Sequence, residues 1–295
     1  MDGYRVSGVF HNRNGDEETI VCKWKEGKKE VFANDAPYEK ITDHIGRYAA
    51  VMIAPDDLQL INEGSEQRRK WLDSILCQTN KEYFEHLLHY QRVLLQRNAW
   101  LKLHAQNSIN ESAELDYYNE QLAQHGHYIF SARKQFVQDF LPLLQEYYHQ
   151  ISEGKETISL FYKCDLTVRP HLQWLQDSLQ QDVYRQRTGR GIHKDELEFS
   201  LNNESLKQFG SQGQKKCFLF AMKLAQYVYL HQRLKLFPIL LLDDVFEKLD
   251  HLRIEALMRI ISSVEFGQVL LTDTDATRVR NAFSLSAKIE VLELD

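Results

Sequence analysis

Pro238-Ile239-Leu240-Leu241-Leu242-Asp243-Asp244 is the stretch on which the reading of the chain turns. An apolar run beginning at Phe237 stops abruptly at two carboxylates. A strand with no polar residue on either face is buried on both, as strands of parallel sheets are. Its C-terminal end is where open α/β sheets receive their ligands. A solvated turn would also accommodate two acids, but the unbroken apolar approach favours the strand. Asp243 is placed to hold Mg2+, directly or through water, and Asp244 to orient or deprotonate an attacking water.

Upstream lies Ser211-Gln212-Gly213-Gln214, which opens a breaker-free segment running to about Arg233. Ser211 is a natural N-cap, and Gly210 and Gly213 allow close backbone approach. A helix start of this kind presents free N–H groups and a positive dipole end, which suits an anion. Alone it is a common feature. Downstream come Leu249-Asp250-x-x-Arg253 and a second buried strand, Gln268 to Thr272, which ends in Thr272-Asp273-Thr274. The order is more specific than any of the parts: S-x-G-Q, a helix, a strand ending in two acids, then L-D. It resembles the C-terminal half of an ABC-type ATPase head.

The rest of the chain supplies the frame. The first 55 residues read as antiparallel β structure, with alternating Tyr4, Val6, Gly8 and Phe10, a hairpin signal at Asn14-Gly15 and a second turn at Glu26-Gly27-Lys28. Val51 to Ala54 reads as a buried strand running into Pro55. Helices are expected from about Ser65 to Gln78, Lys81 to Gln106 and Ser112 to Gln150, the last kinked in its final turns by Pro142. Tyr83, Leu87, Tyr90, Leu94, Arg97 and Leu101 in one helix, and Leu115, Tyr118, Leu122, His125, Ile129, Ala132, Phe136 and Phe140 in the next, keep a three-four alternation. That is a heptad pattern, and it predicts an antiparallel helical hairpin. Arg97 occupies a core step of it, which points to buried ion pairing. After Gly154 the period returns to two. A helix from about Pro170 to Arg187 and a strand from Leu197 to Leu201 follow.

Composition narrows the class. The 295 residues are 43% hydrophobic and carry a net charge of −6, which disfavours indiscriminate nucleic-acid binding but leaves room for a local basic patch. No apolar run approaches the ~18 residues of a membrane span. Cys22, Cys77, Cys164 and Cys217 are far apart and form no C-x-x-C pair, so reduced, cytoplasmic thiols are expected. None of the 13 glycines lies in G-x-x-x-x-G-K-[ST].

Several stretches go beyond the general ABC pattern and resemble the RecF family, in its Bacteroidetes branch. They are Ala54-Pro55-Asp56-Asp57-Leu58, Arg68-Arg69-Lys70-Trp71-Leu72-Asp73, Gln96-Arg97-Asn98-Ala99-Trp100-Leu101-Lys102, Gly191-Ile192-His193-Lys194-Asp195-Glu196-Leu197 and Gly210 to Gln214. The resemblance runs from about residue 4 to 290. It implies an α/β fold, an ABC/SMC-type ATPase head with an inserted helical-hairpin lobe. The division expected is 1–60 for the β-rich part of the head, 61–155 for the hairpin and 156–295 for the C-terminal half of the head. It also implies that the missing phosphate-binding loop belongs to a leading segment, so the chain reads as N-terminally truncated and is expected to hydrolyse ATP very poorly by itself.

Carried over residue by residue, the resemblance gives Ser211, Gly213 and Gln214 contact with ATP held by a second protomer, Asp243 the Mg2+, Asp244 the catalytic base and Asp250 the loop crossing the dimer interface. Asp244 stands where many such heads carry Glu. No His occupies the switch position near the γ-phosphate, where Asp273 or Thr274 stands. The family implies binding to double-stranded DNA and to ds/ss junctions, an ATP-dependent homodimer, and cooperation with RecR and RecO in loading RecA at gaps. Lys28, Lys29, Arg68, Arg69 and Lys70 are the main DNA-contact candidates, with Lys23, Lys25 and Arg92 beside them. The alternatives are an SMC-like head with another DNA task, disfavoured by the short hairpin, and a non-catalytic interaction module that has lost ATP chemistry.

Overall fold

The computed structural model describes residues 3–11, 15–105, 112–152, 154, 156–244, 251–262, 266–274, 290 and 292. They form two compact units, one up to Ala49 and one from Ala50 onward.

The first unit is an antiparallel meander of β1 (Gly3–His11), β2 (Glu17–Lys25), β3 (Lys28–Ala33) and β4 (Ala36–Pro37), hydrogen-bonded in that order. Lys25 pairs with Lys28 across a two-residue turn in which Glu26 and Gly27 both have positive φ, 50° and 77°. That is the primed turn whose twist matches a hairpin. Asn34 and Asp35, at 48° and 66°, repeat the device between β3 and β4. Ile20, Val21 and Val31 are buried. The Asn14 half of the expected first hairpin signal lies outside the described residues.

The second unit is built around a parallel sheet in the order β10 (Val269–Thr272), β9 (Ile239–Asp243), β5 (Ala50–Ile53). Here the structure departs from the expected all-antiparallel first 55 residues. Ala50–Ile53 pairs in parallel with Ile239–Leu242. Val51 and Ile53 on one side, with Leu240 and Leu242 beside them, are almost fully buried. At about 1.5–3 kcal/mol per large apolar side chain, that burial fixes the strand in the second sheet. A helix packs on β5, namely α8 (Gln212–Leu234), whose residues Cys217 to Tyr227 are all buried. Asp57 ties the end of β5 to it, accepting from Ala54 N at 2.9 Å and from Lys223 Nζ at 2.8 Å.

After β5 come α1 (Gln59–Asn62), α2 (Ser65–Thr79), α3 (Lys81–Leu103) and α4 (Ala113–Ser152). The heptad reading holds: Tyr83, Leu87, Tyr90, Arg97 and Leu101 of α3 are buried, as are Leu115, Leu122, Ile129, Phe136 and Phe140 of α4. Contacts descend in opposite senses along the two helices. Tyr83 meets Arg133, His86 meets His125 and Arg97 meets Asn119. The pair is therefore antiparallel. The α4 helix continues through Pro142, and the expected link at 107–111 lies outside the described residues. Among the described residues no helix is long and apolar enough to cross a membrane.

A second antiparallel sheet orders β6 (Ile158–Lys163), β7 (Glu196–Leu201) and β8 (Glu204–Ser205). The single helix expected over 170–187 is two, α5 (His171–Asp177) and α6 (Leu179–Arg185). They part at Ser178, whose hydroxyl bonds the Asp182 carboxylate at 3.2 Å instead of the preceding turn. The short α7 (Leu206–Phe209) leads into α8, and α9 (His251–Ile261) precedes β10.

Arg97 shows what holds the hairpin to this segment. Fully buried, it donates to Asp182 Oδ2 at 2.8 Å, Thr188 Oγ1 at 2.7 Å and Asn119 Oδ1 at 2.8 Å. Removing one partner of such a pair leaves the other charge buried and uncompensated. Arg97→Ala is expected to lower unfolding free energy by about 3–5 kcal/mol in urea titration. The exposed-pair variant Arg169→Ala, which breaks a bond to Asp177 at the surface, is expected to change it by less than about 1 kcal/mol.

Candidate functional site

The acid pair stands at the C-terminal edge of the parallel sheet. Asp243 is the last residue of β9 and is exposed. The hydroxyl of Thr272, at the matching end of β10, donates to Asp243 Oδ1 at 2.6 Å. Asp244 follows with φ of 46°, and its N–H donates to Thr272 O at 3.1 Å. This left-handed conformation is rare for side chains longer than Asp or Asn. It gives a local reason for Asp rather than Glu at this position. Both acids line a cleft with Ile53, Ala54, Pro55 and Leu58 on one wall and Lys216, Leu219 and Phe220 of α8 on the other. Helix α8 thus brings its second and third turns to the acids. Thr274 is exposed two residues beyond β10, and Asp273 is half-buried beside it. Asp250 lies outside the described residues.

The 211–214 loop caps α8 by a reciprocal pair of bonds. Ser211 Oγ accepts from Gln214 N at 3.2 Å, and Gln214 Oε1 accepts from Ser211 N at 2.8 Å. This capping box satisfies two of the orphan donors of the helix start. Ser211 and Gln212 are exposed, while Gly213 is half-buried. A Cβ on Gly213 would stand 2.6 Å from Arg253 Nη1 of α9, so the guanidinium lies against the bare backbone of the loop. The Gln214 side-chain nitrogen donates to Glu156 Oε1 at 2.6 Å. Glu156 in turn accepts from the hydroxyl of Tyr148, whose ionisation is pushed up first by burial and then by that bond.

The donor set can be weighed against the groups expected there. Asp243 offers one exposed carboxylate at a strand end, the kind of ligand a largely hydrated Mg2+ accepts. Among the described residues no three His, Cys, Asp or Glu side chains form a metal cage. A cation here would accordingly take most of its ligands from water and phosphate. The exposed, capped start of the 23-residue α8 fits one end of a polyanion.

The DNA-contact candidates divide. Arg68 is a correction. It is buried, forks onto both carboxylate oxygens of Glu196 at 2.8 and 3.0 Å, and donates to Leu60 O and Glu63 O. Its charge is consumed inside the fold. Arg69 is half-buried and donates to Asp195 O at 2.6 Å; burial lowers its pKa, with Arg133 adding to the effect. Lys70 is exposed and paired with Glu66 one turn away, at 2.7 Å. Lys28 and Lys29 are exposed, but successive residues of a strand point to opposite faces. The register sets Lys28 opposite Lys25, on the face that also carries Arg5 and Lys23; Lys29 sits opposite Trp24 on the other.

Sequence reasoning named Thr272 only as a strand end and did not single out Glu156, Tyr148 or Lys216. Lys216 was findable, standing one and a half turns past Ser211 on a helix already assigned. Glu156 carries no local signal, because its partners are 8 and 58 residues away.

No family model matches the chain. Curated relatives do. RecF of Flavobacterium johnsoniae, a DNA replication and repair protein, is 41% identical over 267 residues, covering 90% of this chain and 74% of that relative. RecF of Bacteroides fragilis is 38% identical over 276 residues, covering 93% and 74%. A solved structure of the recombination mediator protein RecF of the RecFOR pathway, in its ATPrS form, superposes with a TM-score of 0.82 at 25% identity, covering 94% of this chain and 76% of that one. Its ATP form gives the same TM-score at 24% identity. With its sequence and its fold both matching over nine-tenths of its length, the chain belongs to the RecF family.

Proposed function

We propose that this chain is the part of an ATP-gated DNA clamp that carries the S-x-G-Q signature, Ser211 to Gln214, and acts in recombinational gap repair, helping RecO and RecR to load RecA. Family membership supports the DNA-repair setting, and RecF structures solved with nucleotide support ATP as the ligand. The observation that carries the reading is local. One helix, α8, exposes a capped N-terminus at Ser211 and, two turns on, lines a cleft with Asp243 and Asp244.

In this reading Ser211 and Gly213 face the triphosphate held by a second protomer, Asp243 holds Mg2+ and Asp244 orients the attacking water. Asp250 belongs to the crossing loop, and Thr274 stands near the γ-phosphate. Bound Mg2+ would offset the charge that develops on the phosphates. Gln214 shapes the loop. ATP would favour the dimer by binding that state better than the open one, and its hydrolysis would release it. The parts 1–60, 61–155 and 156–295 would serve as the β-rich part of the head, the hairpin and the C-terminal half of the head. Double-stranded DNA and ds/ss junctions would meet the Arg5, Lys23, Lys25 and Lys28 face of the β meander, through phosphate contacts.

The trans arrangement is tested by mixing the chain with F. johnsoniae RecF and a slowly hydrolysed ATP analogue, and following association by analytical ultracentrifugation. Nucleotide-dependent association is expected. Ser211→Arg is expected to abolish it at a cost of about 1 kcal/mol in stability, the loss of one N-cap. Association equal in wild type and variant, or absent from both, would overturn the reading in favour of a non-catalytic module.

Gly213→Ala separates loop shape from helix stability. The group a new methyl meets is the movable end of Arg253, and alanine is favoured over glycine inside a helix by about 1 kcal/mol. Stability should hold or rise in thermal unfolding, while nucleotide-dependent association falls because the guanidinium is displaced. For DNA, the Lys25→Glu and Lys28→Glu variants should weaken duplex binding at all sequences and each reduce the log–log salt slope by about 1, read from fluorescence anisotropy across salt.

A further inference from the structure

We propose that Glu156 is a positioning residue that links the 211–214 loop to the C-terminal end of α4, so that the long helix of the hairpin and the loop move as one. The proposal rests on the reading of that loop as the signature.

The capping box between Ser211 and Gln214 is self-contained. It shapes the loop but does not fix it relative to the rest of the fold. Glu156 does. Its Oε1 accepts from Gln214 Nε2 at 2.6 Å, and its Oε2 accepts from Tyr148 Oη at 2.5 Å. Bonds to a carboxylate are shorter and about twice as strong as neutral ones. Both ends of the Gln214 amide are thereby engaged, Oε1 to Ser211 N and Nε2 to Glu156. Gln214 is committed to holding the loop.

The post that carries Glu156 is itself pinned. The next residue, Thr157, donates its N–H to Asn202 Oδ1 at 2.9 Å and accepts at its carbonyl from Asn202 N at 2.8 Å. Tyr148 is buried on α4 and packs against Phe218, in the second turn of α8, with ring centroids 6.2 Å apart. The carboxylate therefore bridges two helices that pack along each other. Arg253 completes the cluster: it lies against Gly213 and interacts electrostatically with Tyr148. The loop is held from α4 through Glu156 and touched from α9 through Arg253. A shift of the last turns of α4, the 40-residue helix that runs through the hairpin, reaches Gln214 through two hydrogen bonds.

Three variants test this. In Gln214→Glu two carboxylates face each other, so the bond between 214 and Glu156 is lost with no change of size. Tyr148→Phe removes only the hydroxyl. Glu156→Gln combined with Gln214→Glu restores the bridge with donor and acceptor exchanged, and a glutamate at 214 still completes the capping box. Amide hydrogen exchange over residues 211–216 should rise about tenfold in each single variant, the factor that a local change of about 1.4 kcal/mol gives. The double variant should return it to the wild-type rate, and the thermal unfolding midpoint should stay close to wild type in all three. Association with nucleotide-loaded F. johnsoniae RecF should follow the same pattern of loss and rescue. Unchanged exchange over 211–216 in both single variants overturns the proposal. So does a rise spread evenly over α8 and β6, or a failure of the exchanged pair to rescue. Exchange that responds as expected in a wild-type chain that never associates would support the link and refute the signature reading, so the two fail separately.

Discussion

Arg133 is the interaction on which the second unit depends. It lies on α4, almost wholly buried, and its guanidinium donates to Asp195 Oδ2, Asp73 Oδ1 and Ile192 O, each at 2.8 Å. Its Nε reaches Tyr83 Oη at 3.0 Å. One side chain thus joins α2, α3, α4 and the segment before β7. Burial pushes the Asp195 carboxyl above its usual range, and Arg133 is the largest influence pulling it back. A charge this deep is tolerable only because its donors are matched. Arg97 repeats the arrangement toward the far end of the hairpin with Asp182, and Arg68 repeats it at the base with Glu196. These three guanidinium pairs fix how the hairpin sits on the segment from Asp182 to Glu196. Apolar packing alone leaves that less determined, since a heptad seam tolerates sliding by a repeat.

This explains why some stretches of the chain stand out and what they do. Gln96 to Lys102, Arg68 to Asp73 and Gly191 to Leu197 read as markers of kinship, and in the fold they are parts of these buried networks. Asn98 accepts from both the N–H and the hydroxyl of Thr188. Gly191 has φ of 126°, and a Cβ there would stand 2.5 Å from Tyr90 Oη and from His171 Nε2. Ala54 to Leu58 is the turn through which Asp57 holds Lys223 of α8. Of these stretches only Ala54 to Leu58 reaches the cleft at Asp243, through Ala54, Pro55 and Leu58. Their chemistry is architectural, and Arg68 was misread as a DNA contact because a basic pair in a polar helix looks the same whether its partner is a phosphate or a glutamate 128 residues away.

The legible part of the fold was the part governed by local period. The 3.5-residue repeat of α3 and α4, the apolar approach to Asp243 and the N-cap at Ser211 all act within a few turns. The pairing of Ala50–Ile53 was illegible for the opposite reason. Its four residues look like any buried strand, and what decides its partner is β9, about 190 residues on. The break at Ser178 has no Gly or Pro to mark it; its hydroxyl bonds Asp182, the carboxylate that also accepts from Arg97.

The site follows the same rule. Its two visible halves, the loop and the acids, are sequence-local motifs. The residues that hold them in place are not. Thr272 steadies Asp243 from the neighbouring strand, and its carbonyl receives the N–H of Asp244. Glu156 steadies the loop from the α4–β6 link. In both cases a polar side chain from elsewhere in the chain holds an element that the proposed function sets against the nucleotide. Electrostatic work on a phosphate depends on donors being fixed before charge develops, because reorienting them during the reaction forfeits the gain. This chain therefore carries its candidate motifs on exposed elements and draws the residues that hold them from elsewhere in the sequence.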